Sequence, residues 1–221
     1  MTPTGKAVAI WWSRRDLRID DNHALFRALE EEGDVLPLFI FDTDILDRLE
    51  DREDRRVDFI HRALAGLKEE LEASGGSLLV EHGRPAEVWK RLLERLPVKA
   101  VYAAHDHEPY AIARDREVGG LLKERGIPFH TVKDISIFER DEVVKDAGGA
   151  YTVYTPYMRK WRARSTPDME QAFPSRERLD RLASCEPLGL PTLADIGFLP
   201  TKYFHALFDG GKLKRTGGIN G

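Results

Sequence analysis

Hydrophobic and polar positions alternate between two regimes over the first 140 residues. Short apolar runs rich in branched residues fall at Ala7–Trp12, Val35–Phe41, Ser77–Glu81, Ala100–Ala104 and Phe129–Val132. Each has the length of a strand buried on both faces. Between them the spacing changes. In Val57–Leu71 the apolar residues Val57, Phe59, Ile60, Ala63, Leu64, Leu67 and Leu71 recur with a period near 3.6, with charges on the other face, which predicts an amphipathic helix. His23–Leu29, Val88–Leu96 and Ala111–Leu122 carry the same pattern. Gly33, Gly75–Gly76 and Gly126 stand where helices should stop, and Pro85 where one should start. Five strands alternating with four helices predict an α/β fold: a doubly wound, five-stranded parallel sheet of Rossmann-like type. Right-handed crossovers give the strand order 3-2-1-4-5.

After Asp134 the pattern dissolves. Ile135–Val144 has room for a short helix, and Tyr151–Arg164 is aromatic and basic. From Ser165 to Pro200 the chain is rich in proline and charge, which predicts an extended linker hugging the surface. Lys212–Gly221 has no packing face and is expected to be mobile. The expected organisation is therefore an α/β domain over 1–134, an aromatic and basic extension over 135–164, and a linker over 165–221.

Composition narrows the function classes. The 221 residues carry 34 Lys+Arg against 38 Asp+Glu, a formal charge of -4, which speaks against a general nucleic-acid coat. Mean hydropathy is -0.43, and no apolar run approaches the roughly 18 residues that span a bilayer. Cys185 is the single cysteine, so no intramolecular disulfide or cysteine-based zinc site can form. A cytoplasmic protein is expected, with no membrane partner. Neither a GxxxxGK[ST] loop, a strand-linked GxGxxG, nor a GxSxG elbow is present.

In an open parallel sheet, ligands bind beyond the carboxyl ends of the strands, where strand order reverses. Here that point lies between the first and fourth strands, lined by Trp12–Arg18 and His105–Tyr110 and flanked by Phe41–Asp44. Arg14, Arg15 and Arg18 suit an anionic ligand through bidentate hydrogen bonds, or equally an internal Arg–Asp network tying the loop to the next helix. His105-Asp106-His107-Glu108 invites a metal, but no further ligand set stands out, so no metal is expected. Its carboxylates could accept ring N–H or hydroxyl groups from a planar ligand. Arg55 and Arg56 open the long helix against its dipole, as solvated side chains or as reach toward the crevice. Arg159, Lys160 and Trp161 lie in a segment without acids, suited to a nucleic-acid edge or a domain interface, or to a helix turning Tyr157 and Trp161 inward.

The motifs then converge. Trp12-Ser13-Arg14-Arg15-Asp16-Leu17-Arg18 with Asp21-Asn22 and Ala24-Leu25, and Pro37-Leu38-Phe39-Ile40-Phe41-Asp42, resemble the opening of DNA photolyases and cryptochromes. So do Arg56-Val57 with Phe59-Ile60, Asp106 with Glu108-Pro109-Tyr110 and Arg114-Asp115, and Val153-Tyr154-Thr155-Pro156-Tyr157 with Trp161. The resemblance runs in order and register from about Val8 to Arg164. It implies the N-terminal antenna domain, whose crevice holds a light-absorbing pigment that passes excitation to FAD in a separate helical domain. By resemblance, the pigment pocket comprises Arg14, Phe39, Ile40, Phe41, Asp42, Arg56, Asp106 and Glu108. Folate-type members carry an Asn–Glu pair where this chain has Tyr110-Ala111, so a deazaflavin or FMN is expected rather than a folate. Arg159 and Lys160, beside Trp161, become candidate contacts to DNA or the helical domain.

The resemblance further implies partners: the pigment, the FAD-holding helical domain and, through the parent protein, damaged DNA. It implies deoxyribodipyrimidine photolyase activity for the parent. No catalytic residue is expected within this chain, and no light-driven dimer repair by the chain alone, as a fragment or truncated product. Two other classes stay open: a free-standing nucleotide-binding (ATP or flavin) signalling module, and an interaction scaffold.

Overall fold

The computed structural model describes residues 6–202 and the short pairs 208–209 and 212–213. The chain runs β1 (Val8–Ser13), α1 (His23–Glu31), β2 (Val35–Asp42), α2 (Thr43–Leu46), α3 (Arg55–Ala73), β3 (Leu79–Gly83) and α4 (Pro85–Arg95). There follow β4 (Val98–Ala104), α5 (Pro109–Glu124), β5 (Phe129–Val132) and α6 (Tyr154–Arg164), with β6 (Phe208–Asp209) and β7 (Lys212–Leu213) forming a separate antiparallel pair. The main sheet is parallel throughout, in the order β3-β2-β1-β4-β5. Strand order and class are those the sequence predicts.

Side chains alternate across the sheet into two cores. One face of β1 sends Ala9 and Trp11 toward α1 and α3, where they meet Leu25, Leu29, Leu64, Leu67 and Leu71. The other sends Val8, Ile10 and Trp12 toward α4 and α5, against Val88, Trp89, Leu92, Val118 and Leu122. With both faces covered, β1 and β2 are buried along their whole length, which is why they read as continuous apolar runs. Pro85 occupies the first turn of α4, and Gly33, Gly75 and Gly126 take left-handed φ just past α1, α3 and α5.

The stretch after Asp134 departs from expectation in two ways. Only a single 3₁₀ turn, Arg140–Glu142, forms within Ile135–Val144, held by reciprocal Glu139 and Glu142 caps. The linker expected to lie on the surface is instead wedged into the α/β body as far as Thr201. Leu179, Leu182, Leu193, Ile196 and Phe198 are buried in the α1–α3 core, and Ala183 in the α4–α5 core. Leu182 bridges Val35, with Ala183 N–H donating to Val35 O at 2.8 Å, beside β2 before its ladder with β3 begins at Leu38. A Cβ on Gly76 would lie 2.9 Å from Leu182, so glycine permits this close approach. The apolar anchors here are irregularly spaced and leave no periodic signature. The terminal stretch expected to be mobile lies outside the described residues apart from Lys212–Leu213.

Candidate functional site

The crevice is built by loops at the carboxyl ends of β1, β2 and β4. Asn22 caps α1 by accepting from Leu25 N–H at 2.8 Å, and its amide donates to Asp16 at 2.7 Å, which folds the β1–α1 loop back on itself. Asp42 ends β2 and caps α2 through Asp44 N–H at 3.0 Å. Pro109 opens α5, whose first turns carry Tyr110 and Arg114 on one side, four residues apart.

These elements enclose a cavity of about 180 Å³. Trp12, Phe39, Ile40 and Phe41 give it apolar walls, extended by Val57, Ile60 and Ile45. Polar groups reach it from Arg14, Asp42, Tyr110 and Arg114, with Arg15, Asp106 and Glu108 completing the lining. Arg15 is half exposed and bridges the other two, 3.5 Å from Asp106 and 2.6 Å from Glu108. Pockets for complete drug-sized ligands measure roughly 300–1,000 Å³. The enclosed part therefore suits a ring system, with any polar tail left in the open.

The polar groups form two sets. In the first, the guanidiniums of Arg14 and Arg114 lie over the Trp12 indole, 5.1 and 5.2 Å from its ring centre. Asp115 joins them. Arg14 Nη1 donates to its two oxygens at 2.5 and 2.7 Å, Arg114 Nε to Oδ1 at 3.0 Å, and Arg14 also donates to Ala104 O. Burial lowers the proton affinity of Arg14, against the pull of Asp115. In the second set, Tyr110 Oη donates to Asp42 at 2.6 Å. Burial pushes the Asp42 carboxyl up from its ordinary range while the Tyr110 hydrogen bond pulls it down. Burial and Asp42 together raise Tyr110, so its phenol keeps its proton.

Of the eight expected pocket residues, the structure brings together Arg14, Phe39, Ile40, Phe41, Asp42, Asp106 and Glu108. Arg56 is the exception. It does not line the cavity; its guanidinium turns back onto Asp54, the cap of its own helix, at 2.5 Å, with 73% of the side chain exposed. The expectation that Arg56 faces the crevice is corrected accordingly, because the capping carboxylate is the nearer anion.

The remaining loop residues resolve one by one. Arg18 donates to Asp134 at 2.7 Å and to the Asp21 carbonyl, the internal network that the sequence left open. His105 Nδ1 lies 2.7 Å from Glu139, and Arg140 Nε donates to His107 Nδ1 at 3.0 Å. Among the described residues no cluster of three or more His, Cys, Asp or Glu is arranged to hold a metal. On α6, Arg159 is exposed, Lys160 pairs with Asp146, and Trp161 packs edge-on against Phe138 at 5.5 Å. Tyr157 and Trp161 are half-buried, so the helix turns a side inward without entering either core. Tyr110, at the end of the loop expected to line the crevice, does so; Arg114 was missed as a lining residue, although its place one turn beyond Tyr110 on a helix that starts at the crevice was a usable signal.

A doubly wound domain with an apolar, ring-sized crevice at the point where strand order reverses has the architecture in which open α/β sheets place their ligand sites. Comparison with known proteins is more specific: a family model for DNA photolyase matches residues 9–177, and the chain belongs to that family. A deoxyribodipyrimidine photo-lyase from Synechococcus sp. is 32% identical over 197 residues, covering 87% of this chain and 40% of the relative. The structure of a bacterial class III photolyase from Agrobacterium tumefaciens superposes with a TM-score of 0.72 at 26% identity, covering 91% of this chain and 40% of that one. An archaeal photolyase from Sulfolobus tokodaii, with two FAD molecules and an implied novel light-harvesting cofactor, gives 0.59 at 28% identity, covering 69% and 34%. The chain thus spans about 40% of the length of the curated photolyases from Synechococcus sp. and Halobacterium salinarum. Among the described residues no helix is long and apolar enough to cross a membrane.

Proposed function

We propose that the crevice holds a planar antenna pigment, a flavin-type ring (deazaflavin or FMN) rather than a folate. The observation that carries this is the cavity itself: about 180 Å³, walled by Trp12, Phe39, Ile40 and Phe41, with polar groups from Arg14, Arg15, Asp42, Asp106, Glu108, Tyr110 and Arg114 at its margins. The residues fit such a group. Aromatic and branched walls take the ring faces, Arg114 and Asp42 address its polar edge, and Arg15 and Glu108 stand where a polar tail would leave. The bound pigment would supply absorption of blue light. The chain's own residues contribute position, through Trp12 and the phenylalanines, and exclusion of water. Family membership supports the reading, as does the second FAD in the Sulfolobus relative.

The same reading assigns partners. A helical FAD-binding domain, and damaged DNA through it, would meet the exposed Val153, Tyr154 and Arg159 on and beside α6. A cytoplasmic location belongs with it. Titrating the purified chain with FMN, 8-hydroxy-5-deazaflavin, a reduced folate and ATP, read by visible absorption and fluorescence, tests the proposal. Saturable binding of a flavin-type ring is expected. Binding of ATP alone would replace this reading with the signalling-module one.

A further inference from the structure

Asp134 Oδ2 is buried without a hydrogen-bond partner among the described residues. Native structures leave few such groups unpaired, and each one found calls for an explanation. Here the explanation lies beside it. Asp134, just past β5, and Asp16, in the β1–α1 loop, are both nine-tenths buried or more and share one guanidinium. Arg18 donates to Asp134 Oδ1 at 2.7 Å and lies 3.7 Å from Asp16 Oδ2. The Asn22 amide donates to the same Asp16 oxygen at 2.7 Å. One cation and one amide thus serve two carboxylates, and neither donor satisfies Asp134 Oδ2. The two carboxyls are placed to hydrogen-bond to each other, which requires that one of them hold a proton. An orphaned oxygen beside a second carboxylate is that bond without its proton.

The loop that carries Asp16 is also a junction. On one side it brings Arg14 and Arg15 to the crevice. On the other it holds the segment that returns after α6. Ser175 Oγ donates to Ile19 O, Asn22 N–H to Ser175 Oγ at 3.1 Å, and Phe173 N–H to Asp21 Oδ1 at 2.9 Å. We propose that Asp16 and Asp134 form a proton-operated clasp: sharing one proton they fasten the β1–α1 loop to the end of β5, and with both ionised they let the loop and the segment docked on it loosen. Burial, and then the charge of Asp134, raise the Asp16 carboxyl to about 6, so the clasp closes as pH falls below neutral. The unfolded value is 3.8, so closure is fullest in acid and is lost as pH rises through about 6. Other charged groups face this side from each neighbouring element. Lys133 is engaged by Glu142 at 2.6 Å, and Asp168 and Glu170 come from the returning segment. His23, at the start of α1, is a competing proton acceptor. Its ring donates from Nδ1 to the Lys133 carbonyl at 2.8 Å, which leaves Nε2 to take a proton, and it stacks on Phe173 at 3.8 Å.

Two measurements on the full chain test the clasp: a carboxyl ¹³C NMR titration of wild type, and hydrogen exchange of the Asn22 and Phe173 amides between about pH 5 and about pH 7.5, corrected for intrinsic rates. The Asp16 and Asp134 carboxyl carbons should titrate together, with one proton taken up between them near pH 6. Both amides should exchange about fivefold more slowly at the acidic end, the worth of one net hydrogen bond. Asp134→Asn gives Asp16 a permanent donor and should hold the acidic level of protection across the range. Asp16→Asn, whose amide can donate to Asp134 in turn, should do the same. Thermal melts check that the variants fold, and the wild-type titration needs no variant. Carboxyl carbons that titrate independently, both near 3.8, or wild-type exchange that ignores pH, would overturn the proposal. A pH dependence that survives in both Asn variants would assign it to His23 and overturn the clasp equally.

Discussion

The loop from Ser13 to Arg18 feeds two buried charge clusters of opposite imbalance. At the crevice, two arginines share one aspartate: Arg14 and Arg114 around Asp115. At the other end of the loop, two aspartates share one arginine. Arg18 lies 2.7 Å from Asp134 and 3.7 Å from Asp16, whose side chains are 2% and 10% exposed. The clusters differ in how each can be relieved. Burial, and then the neighbouring Asp134, raise the Asp16 carboxyl to about 6, so this pair can ease its repulsion by taking up a proton as pH falls below that value. The Asp134 oxygen that lacks a partner belongs to this pair. Guanidiniums have no such outlet at any working pH. One cluster can take up a proton as pH falls; the other cannot shed its charge, and both of its arginines line the cavity.

The largest effect should come from breaking the cationic cluster. Asp115→Ala leaves two buried guanidiniums without their shared carboxylate and should cost about 3–5 kcal/mol of stability, measured by urea denaturation. A cost below about 1 kcal/mol would mean that the arginines are already satisfied and that the contrast is false.

The acidic cluster should respond in the opposite sense. Asp16 holds its proton more tightly in the native state than in the unfolded chain, where its value is near 3.8. Its contribution is therefore full below about pH 4, falls as pH rises toward about 6, and is flat above. Asp134→Asn removes the repulsion and lets an amide donate to Asp16. The variant should be more stable than wild type at pH 7 by on the order of 1 kcal/mol, with the difference closing at pH 4. Melting temperatures across that range decide it, and a variant less stable at pH 7 would show that Asp134 is needed as a charge.

Smaller effects sharpen the picture. Tyr110→Phe removes one partly buried hydrogen bond and should cost about 1 kcal/mol in urea denaturation, while raising the Asp42 carboxyl further. Arg56→Ala should change flavin affinity by no more than about twofold, since that guanidinium pairs with Asp54 at the surface. A tenfold loss there would restore Arg56 to the pocket.

The sheet was legible because strands buried on both faces leave uninterrupted apolar runs, and because right-handed crossovers allow few orders. The crevice followed from that order, with Arg14, Asp42, Asp106 and Glu108 in it. What the sequence concealed depended on local competition and on non-periodic packing. Asp54 captures Arg56 two residues away, a contact that no motif announces. Arg114 was visible as half of an Arg–Asp motif, but no pattern showed that Arg14, 101 positions before Asp115, claims the same carboxylate. Leu182, Leu193 and Phe198 anchor the return segment at spacings of neither helix nor strand, so their burial was written in no pattern.

Arginine side-chain NMR tests the central claim most directly, recording guanidinium nitrogens and their protons before and after riboflavin is added. The Arg114 side-chain resonances should move, because Arg114 lines the crevice, while those of Arg56, paired with Asp54 at the surface, should shift little. Saturated riboflavin with the Arg114 resonances unmoved would contradict the account.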